Sequence, residues 1–202
     1  MTPSFRVRVI GGRLRHRPLR FPRVQPPIRP TPGAVRETLF NWLLPQIVGT
    51  SCLDLFAGSG ALGFEAWSRG ARSVHFVERE AQVAAYLERQ RATFGMREAT
   101  VSQADAFEFL RRPAAHFDVV FLDPPFQETR RDQLLETLIS GDWLNPGAQI
   151  FLEWGRQVGG CPFRIPKGWD FWRTWRSGQV VFGLIRESGL GLGQPDRLSF
   201  GD

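Results

Sequence analysis

Lysine is almost missing from this chain: of its 26 basic residues only Lys167 is not arginine. Genome composition accounts for most of that preference, but not for where the arginines fall. Cysteine is scarce too. Cys52 and Cys161 are too few for a disulfide framework or a zinc site, and the chain reads as a reduced, cytoplasmic protein. No apolar run approaches the length of about 18 residues that a membrane span needs. The N-terminus has no apolar signal core either, so secretion is not expected. His16, His75 and His116 stand in no partner pattern, which leaves neither a metal-ligand set nor a nucleophilic triad. No metal is expected, and there are no internal repeats.

What is present is one ordinary globular core with an uneven charge. The 202 residues are 42% apolar, enough for a single α/β domain with appendages. Residues 1–50 carry nine arginines against the one acid Glu37, so the net +6 of the whole protein comes from its first quarter. Residues 1–30 hold Arg6, Arg8, Arg13, Arg15, Arg17, Arg20, Arg23 and Arg29 among prolines and Gly11-Gly12. Residues 6–10 alternate as a short strand that residues 13–17 could continue. The segment reads as a basic arm lying on the domain or on a polyanion, since the guanidinium fork suits phosphates and base edges.

Thr31-Pro32-Gly33 predicts a helix start, with Thr31 as N-cap and Pro32 in the first turn. Val35, Leu39, Trp42 and Leu43 then keep helical spacing until Pro45. From residue 51 strands and helices alternate: strands at 51–55, 73–77, 99–102, 117–122 and 149–153, and helices at 61–69, 80–94, 106–111 and 132–139. Such alternation predicts right-handed crossovers and a doubly wound, mostly parallel sheet. After Glu153 the pattern changes to a hairpin of residues 171–175 and 179–185, turning at Arg176-Ser177-Gly178 and closing the sheet edge. The organisation expected is a basic extension (1–30), a domain (31–187) and a disordered tail (188–202).

Two stretches carry chemistry. The apolar strand at 117–122 is stopped by Asp123-Pro124-Pro125-Phe126, which sets one carboxylate, free carbonyls and one ring at a strand's carboxyl end, where open α/β sheets bind ligands. As a bare turn, Asp123 would merely cap and Phe126 merely pack. The other stretch is the turn after the first strand of the alternation. There Gly58, Gly60 and Gly63 satisfy G-x-G-x-x-G, and Glu78 follows 20 residues after Gly58, at the end of the next strand, where a carboxylate grips a ribose. Read literally this is a dinucleotide site, and an NAD-dependent oxidoreductase stays open as one reading. Asp54, just ahead of the glycines, argues against it, because an anion there repels a pyrophosphate at a helix N-terminus. It suits a cationic, phosphate-free ligand such as the amino-acid half of S-adenosylmethionine. Asp105-Ala106, after the third strand, could reach an adenine amino group, though Asp is also a good N-cap.

With these residues in view, the chain resembles the bacterial 16S rRNA guanine-N2 methyltransferases. The resemblance rests on Val9-Ile10-Gly11-Gly12, Arg29-Pro30-Thr31, Val35-Arg36-Glu37-Thr38-Leu39-Phe40-Asn41-Trp42-Leu43, the run from Leu53 to Gly63, and Asp123-Pro124-Pro125-Phe126, in register over about residues 6–186. It implies a seven-stranded, Rossmann-like methyltransferase domain with an N-terminal extension that helps bind RNA through Arg6, Arg8, Arg13, Arg15, Arg17 and Arg29. It implies S-adenosylmethionine as cofactor, surrounded by Asp54, Phe56, Ala57, Gly58, Ser59, Gly60, Glu78, Arg79, Asp105 and Ala106, with the region from Thr31 to Arg36 closing over it. The implied partner is 16S rRNA or a small-subunit assembly particle. Glu80, where Asp is commoner, and the run Leu87-Glu88-Arg89-Gln90-Arg91 depart from the pattern away from the reacting centre, and the tryptophan-heavy hairpin matches loosely.

The chemistry then expected is methyl transfer to an exocyclic guanine amine. Its lone pair is delocalised into the ring, so acceptors aimed at its hydrogens favour rehybridisation and stabilise the developing charge. Asp123 and the Pro124 carbonyl are the candidates, with Phe126 stacking on the extruded base. The same loop could serve a DNA amine or a protein glutamine amide. The basic arm argues against a protein acceptor. A catalytically dead RNA-binding module is disfavoured by the intact proline loop and cofactor acids.

Overall fold

Nine strands and five helices make up the described part of the chain, residues 5–25, 27–113, 115–125, 128–156 and 161–189 of the computed structural model. The strands are β1 (Phe5–Arg8), β2 (Pro18–Phe21), β3 (Ser51–Asp54), β4 (Ser73–Glu78), β5 (Ala99–Gln103), β6 (Phe117–Leu122), β7 (Leu144–Gly155), β8 (Trp169–Ser177) and β9 (Val180–Glu187). The helices are α1 (Gly33–Leu43), α2 (Ala61–Ser68), α3 (Ala81–Thr93), α4 (Ala106–Phe109) and α5 (Arg131–Ser140). Seven strands form one sheet in the order β5-β4-β3-β6-β7-β9-β8. The first five are parallel; β9 and β8 are antiparallel and close the edge. Strand β3 is buried along its whole length, as a central parallel strand covered on both faces must be. The connections lead outward from β3 to β4 and β5 on one side, and from β6 to β7 on the other. The switch point of the sheet therefore lies between β3 and β6, and ligands of open α/β sheets bind at such a point.

The period-2 alternation of the strands divides the core into two layers. Cys52, Phe76, Phe121, Phe151 and Phe182 face one side, packed with residues of α1, α2 and α3. Leu53, Val77, Val120, Leu122, Ile150 and Leu152 face the other, packed with residues of α4 and α5. By the same parity, Asp54, Asp123 and Glu153 belong to the first face. Ring contacts of Phe40 with Phe121 and Trp42 with Phe182, at 5.9 and 5.3 Å between centroids, seat α1 on that face. Helix α2 comes very close to β4. A Cβ at Gly63 would stand 2.3 Å from the Phe76 ring, so only glycine permits the approach.

The basic N-terminal extension lies on the domain. β1 and β2 pair antiparallel, and Val9, Leu14, Leu19 and Phe21 are buried in the first core layer. The second strand is thus 18–21 and not 13–17; residues 12–14 form a 3-10 turn and His16 takes a positive φ of 68°. The cause is Glu65 on α2, fully buried, which accepts the Ile10 and Gly11 backbone N–H groups at 2.8 Å each, Arg36 Nη1 at 3.2 Å and Arg69 Nε at 2.8 Å. The Ser68 hydroxyl accepts the Leu14 N–H, and the Arg13 guanidinium stacks 3.4 Å from the centre of the Trp67 ring. Sequence signals had left the extension without an anchor.

Other expectations also shift. Thr31 does not cap α1: the N-cap is Pro32, without a side-chain bond. β7 starts at Leu144, five residues earlier than expected, and the hairpin turns at Gly178-Gln179, since Ser177 pairs with Val180. The expected disordered tail lies outside the described residues from 190 on; Ser188 is described, with its N–H donating to the Gly168 carbonyl at 2.7 Å. No helix among the described residues is long and apolar enough to cross a membrane.

Candidate active site

Three strand ends converge at the switch point. β3 ends in Asp54, β6 runs into Asp123, and β7 carries Glu153 beside it, since Leu122 pairs with Leu152. Asp54 is 3% exposed, and its Oδ2 accepts the Gly63 N–H at 3.0 Å, which ties the strand end to the first turn of α2. Burial pushes its carboxyl up to about 7; the Gly63 bond opposes the shift, while the charges of Asp123 and Glu78 add to it. Asp123 is partly buried. Burial raises it to about 7 as well, against the Thr31 hydroxyl, which donates to its Oδ2 at 3.4 Å. Thr31 is therefore a partner of Asp123, where sequence reasoning had made it a cap.

The turn between Asp54 and α2 is shaped for close backbone approach. Gly60 has φ +73°, and a Cβ there would collide with Phe64 and Leu87 at 2.6 and 2.7 Å. Ser59 is buried, and its Oγ accepts the Ala61 N–H at 3.3 Å. The Ala57 N–H donates to the Val77 carbonyl, while Phe56 packs half-buried on the second core layer. Glu78 accepts the Gly58 N–H on one oxygen at 2.9 Å and the Glu80 N–H on the other at 2.8 Å. Each oxygen retains a second lone pair, so ribose hydroxyls could still be bound. Asp105, just beyond the end of β5, caps α4 by accepting the Phe107 N–H at 2.9 Å; Ala106 is buried and Arg79 is exposed. The segment leading to α1 passes over the turn, for a Cβ on Gly58 would meet Ile28 at 3.5 Å. Thr31, Asp54, Gly58, Gly60 and Glu78 are thus gathered around one edge of the sheet. Pro124 is buried next to Asp123; Phe126 lies outside the described residues.

Of the arginines expected to meet RNA, Arg13 is held by Trp67, whose carbonyl also accepts its Nη2 at 2.9 Å, and Arg8 Nη1 donates to the His16 carbonyl at 3.3 Å. Arg6, Arg15, Arg17 and Arg29 are exposed.

Sequence reasoning missed Glu153, which it took as the end of a buried strand. It is 6% exposed, and its Oε2 has no hydrogen-bond partner among the described residues. Burial, with the charge of Asp123, pushes its carboxyl up to about 9. A carboxyl raised in this way penalises the folded state only where it must ionise. The penalty is absent below its unfolded value, near pH 4, grows as pH rises, and is complete above the folded value. With Asp54 and Asp123 at about 7 and Glu153 at about 9, the ligand-free protein is expected to lose thermal stability steadily from about pH 5 to pH 9. The portion between about 7 and 9 belongs to Glu153, and Glu153→Gln should flatten it in thermal melts. Parallel wild-type and variant curves above neutrality contradict this assignment.

Comparison with known proteins places the fold and this edge in context. The family model described as Conserved hypothetical protein 95 matches residues 7–186. The chain is 38% identical over 193 residues to the ribosomal RNA small subunit methyltransferase D of Escherichia coli K12, covering 96% of each chain. It is 40% identical over 184 residues to the protein of the same name from Haemophilus influenzae, covering 89% of this chain and 93% of that one. A solved structure described as a putative methyltransferase from Escherichia coli superposes with a TM-score of 0.83 at 38% identity, over 91% of this chain and 98% of that one.

Proposed function

The chain belongs to the ribosomal RNA small subunit methyltransferase D family, and from that premise we propose that it transfers a methyl group from S-adenosylmethionine to the exocyclic N2 amine of a guanine in 16S rRNA. The observation that carries the reading is the meeting of Asp54 and Asp123 at the switch point, both raised toward neutrality chiefly by burial, with neighbouring carboxylates adding to the shift at Asp54. Two carboxyls of this kind, one buried and one partly buried, favour a positively charged ligand and disfavour a pyrophosphate. That is the reason an NAD-dependent oxidoreductase is set aside despite the literal glycine fingerprint.

When bound, the cofactor would supply the methyl group from its sulfonium centre, with a neutral thioether as the leaving group. Thr31, Asp54, Phe56 to Gly60, Glu78, Arg79, Asp105 and Ala106 form its cradle: Glu78 offers lone pairs to ribose hydroxyls, and Asp54 lies where a cationic amino-acid portion would be held. The work on the acceptor falls to the loop after β6. Asp123 and the Pro124 carbonyl accept hydrogen bonds from the two N–H groups of the guanine amine, which localises its lone pair and stabilises positive charge as it develops; the methylated amine then sheds one proton, to Asp123 or to water. Phe126 stacks on the base once it leaves its helix or loop. Thr31, donating to Asp123, keeps that carboxylate directed at the amine. Holding amine and methyl in line contributes much of the acceleration. Arg6, Arg15, Arg17 and Arg29 contact rRNA phosphates, and an rRNA substrate agrees with a cytoplasmic protein.

Incubation with labelled S-adenosylmethionine and small subunits, or 16S rRNA, from a strain lacking this gene is the test. Label is expected in 16S rRNA, with no heat of binding for NAD. Absence of label from both substrates overturns the reading. Transfer to a DNA base or a protein glutamine instead would keep the cofactor site and change the acceptor.

A further inference from the structure

The tryptophan-rich hairpin has no part in the chemistry above, yet its register brings it to the same rim. Glu153 on β7 pairs with Phe182 on β9, and Phe182 pairs with Trp175 on β8. The three residues form one row across the sheet. Paired residues of neighbouring strands point to the same face, and Phe182 belongs to the first core layer, so Trp175 lies on the face of Asp123 and Glu153. Two strand spacings, about 10 Å, separate it from the Glu153 position. Trp175 is 51% exposed, one of three large apolar side chains so exposed among the described residues.

Its surroundings are cationic and aromatic by turns. The Arg173 guanidinium stands 5.8 Å from the Trp42 ring centre and 4.8 Å from that of Trp172, and the Arg186 guanidinium stands 4.9 Å from the Trp172 ring centre. Arg173, two residues before Trp175 on β8 and paired with Leu184, shares its face, whereas the exposed Arg176 lies on the opposite one. The acids of the hairpin, Asp170 and Glu187, lie at its far end, where Trp169 pairs with Glu187. The end nearest the candidate active site therefore offers a flat ring with the Arg173 guanidinium beside it on one face. Such a surface fits single-stranded nucleic acid, whose bases stack on aromatic faces while arginines meet its backbone.

We propose that the exposed ring of Trp175 stacks on a nucleotide flanking the target guanine, with Arg173, on the same face, at the adjoining backbone. This rests on the rRNA reading given above, and it assigns the hairpin to holding the strand beside the extruded base. The side chain is at the surface, so its truncation leaves the core intact.

The test compares Trp175→Ala and Trp175→Phe in methyl transfer to 16S rRNA or small subunits lacking the modification, with S-adenosylhomocysteine affinity measured alongside. The alanine variant should raise the KM for RNA about tenfold, the scale of one lost base–aromatic stack, with kcat and cofactor affinity unchanged. Phenylalanine, which keeps a stacking face, should restore KM to within about threefold. Three results overturn the proposal: an unchanged KM in Trp175→Ala, equal losses in both variants, or a loss of cofactor affinity in step with KM. A wild-type protein that methylates neither RNA sinks the rRNA reading itself and this proposal with it.

Discussion

Asp123→Ala is expected to lower kcat for methyl transfer about 10²- to 10³-fold, the cost of removing one preorganised group aimed at developing charge, while S-adenosylhomocysteine still binds. The variant should fold without loss of stability. Asp123 sits among carboxyls, with its own raised to about 7 chiefly by burial, so at pH 8 the folded wild-type chain bears an ionised group in an unfavourable place. Alanine relieves that repulsion, and a Tm at or above that of the wild type is the expected companion result. Asp123→Asn keeps a carbonyl acceptor but no charge, and should fall between the two in rate. The comparison separates hydrogen bonding from charge: equal rates for Asn and Asp make the acceptor sufficient, and equal rates for Asn and Ala make the charge essential. Turnover of the alanine variant within a few-fold of wild type removes Asp123 from the chemistry.

The largest effect on stability is expected at Glu65. Its carboxylate is the common acceptor for two backbone N–H groups of the Ile10-Gly11 turn and for the Arg36 and Arg69 guanidinium groups. The Arg36 side chain is 3% exposed and that of Glu65 0%. Glu65→Ala leaves a buried guanidinium unpaired and two donors orphaned, a cost of about 3–5 kcal/mol. For a chain of this size that corresponds to a drop in Tm on the order of 10 °C. The i,i+3 pair Glu88–Arg91 on α3 is the control, because both partners are solvent-accessible. Breaking it with Glu88→Ala should cost no more than about 1 kcal/mol. Equal thermal shifts for the two alanine variants contradict the role given to Glu65. Arg36 also donates Nε to the Thr31 carbonyl at 3.2 Å, so the Glu65 variant is further expected to loosen the contact between Thr31 and Asp123.

The parts of this molecule that announce themselves in sequence are those fixed by local chemistry. The Asp123-Pro124-Pro125 stop, the Gly58–Gly60 turn and the alternation of β3, β4 and β6 are local patterns, and the sheet order then puts Asp54 and Asp123 side by side. What was not legible depends on partners distant in the chain. Glu153 looks like one more residue of an apolar strand; only the pairing of Leu122 with Leu152 sets it beside Asp123. Glu65 sits inside an apolar helix, and nothing near it in sequence shows that residues 10 and 11 will supply its donors. Thr31 has the composition of a cap, and its hydroxyl turned to a carboxylate 92 positions away because the chain crosses the glycine turn first. The second N-terminal strand was misplaced for the same reason: anchoring by Glu65 and Ser68 bends residues 10–14 into a turn that their alternation does not predict.

Digestion of methylated 16S rRNA to nucleosides tests the proposed chemistry most directly. Small subunits from a strain lacking this gene, treated with the purified protein and S-adenosylmethionine, should yield N2-methylguanosine as the one new modified nucleoside. With Asp123→Ala under the same conditions it should fall to the level of untreated subunits. A methyl group on a ring nitrogen, on an adenine or on ribose would contradict a site built to accept the hydrogens of the guanine amine.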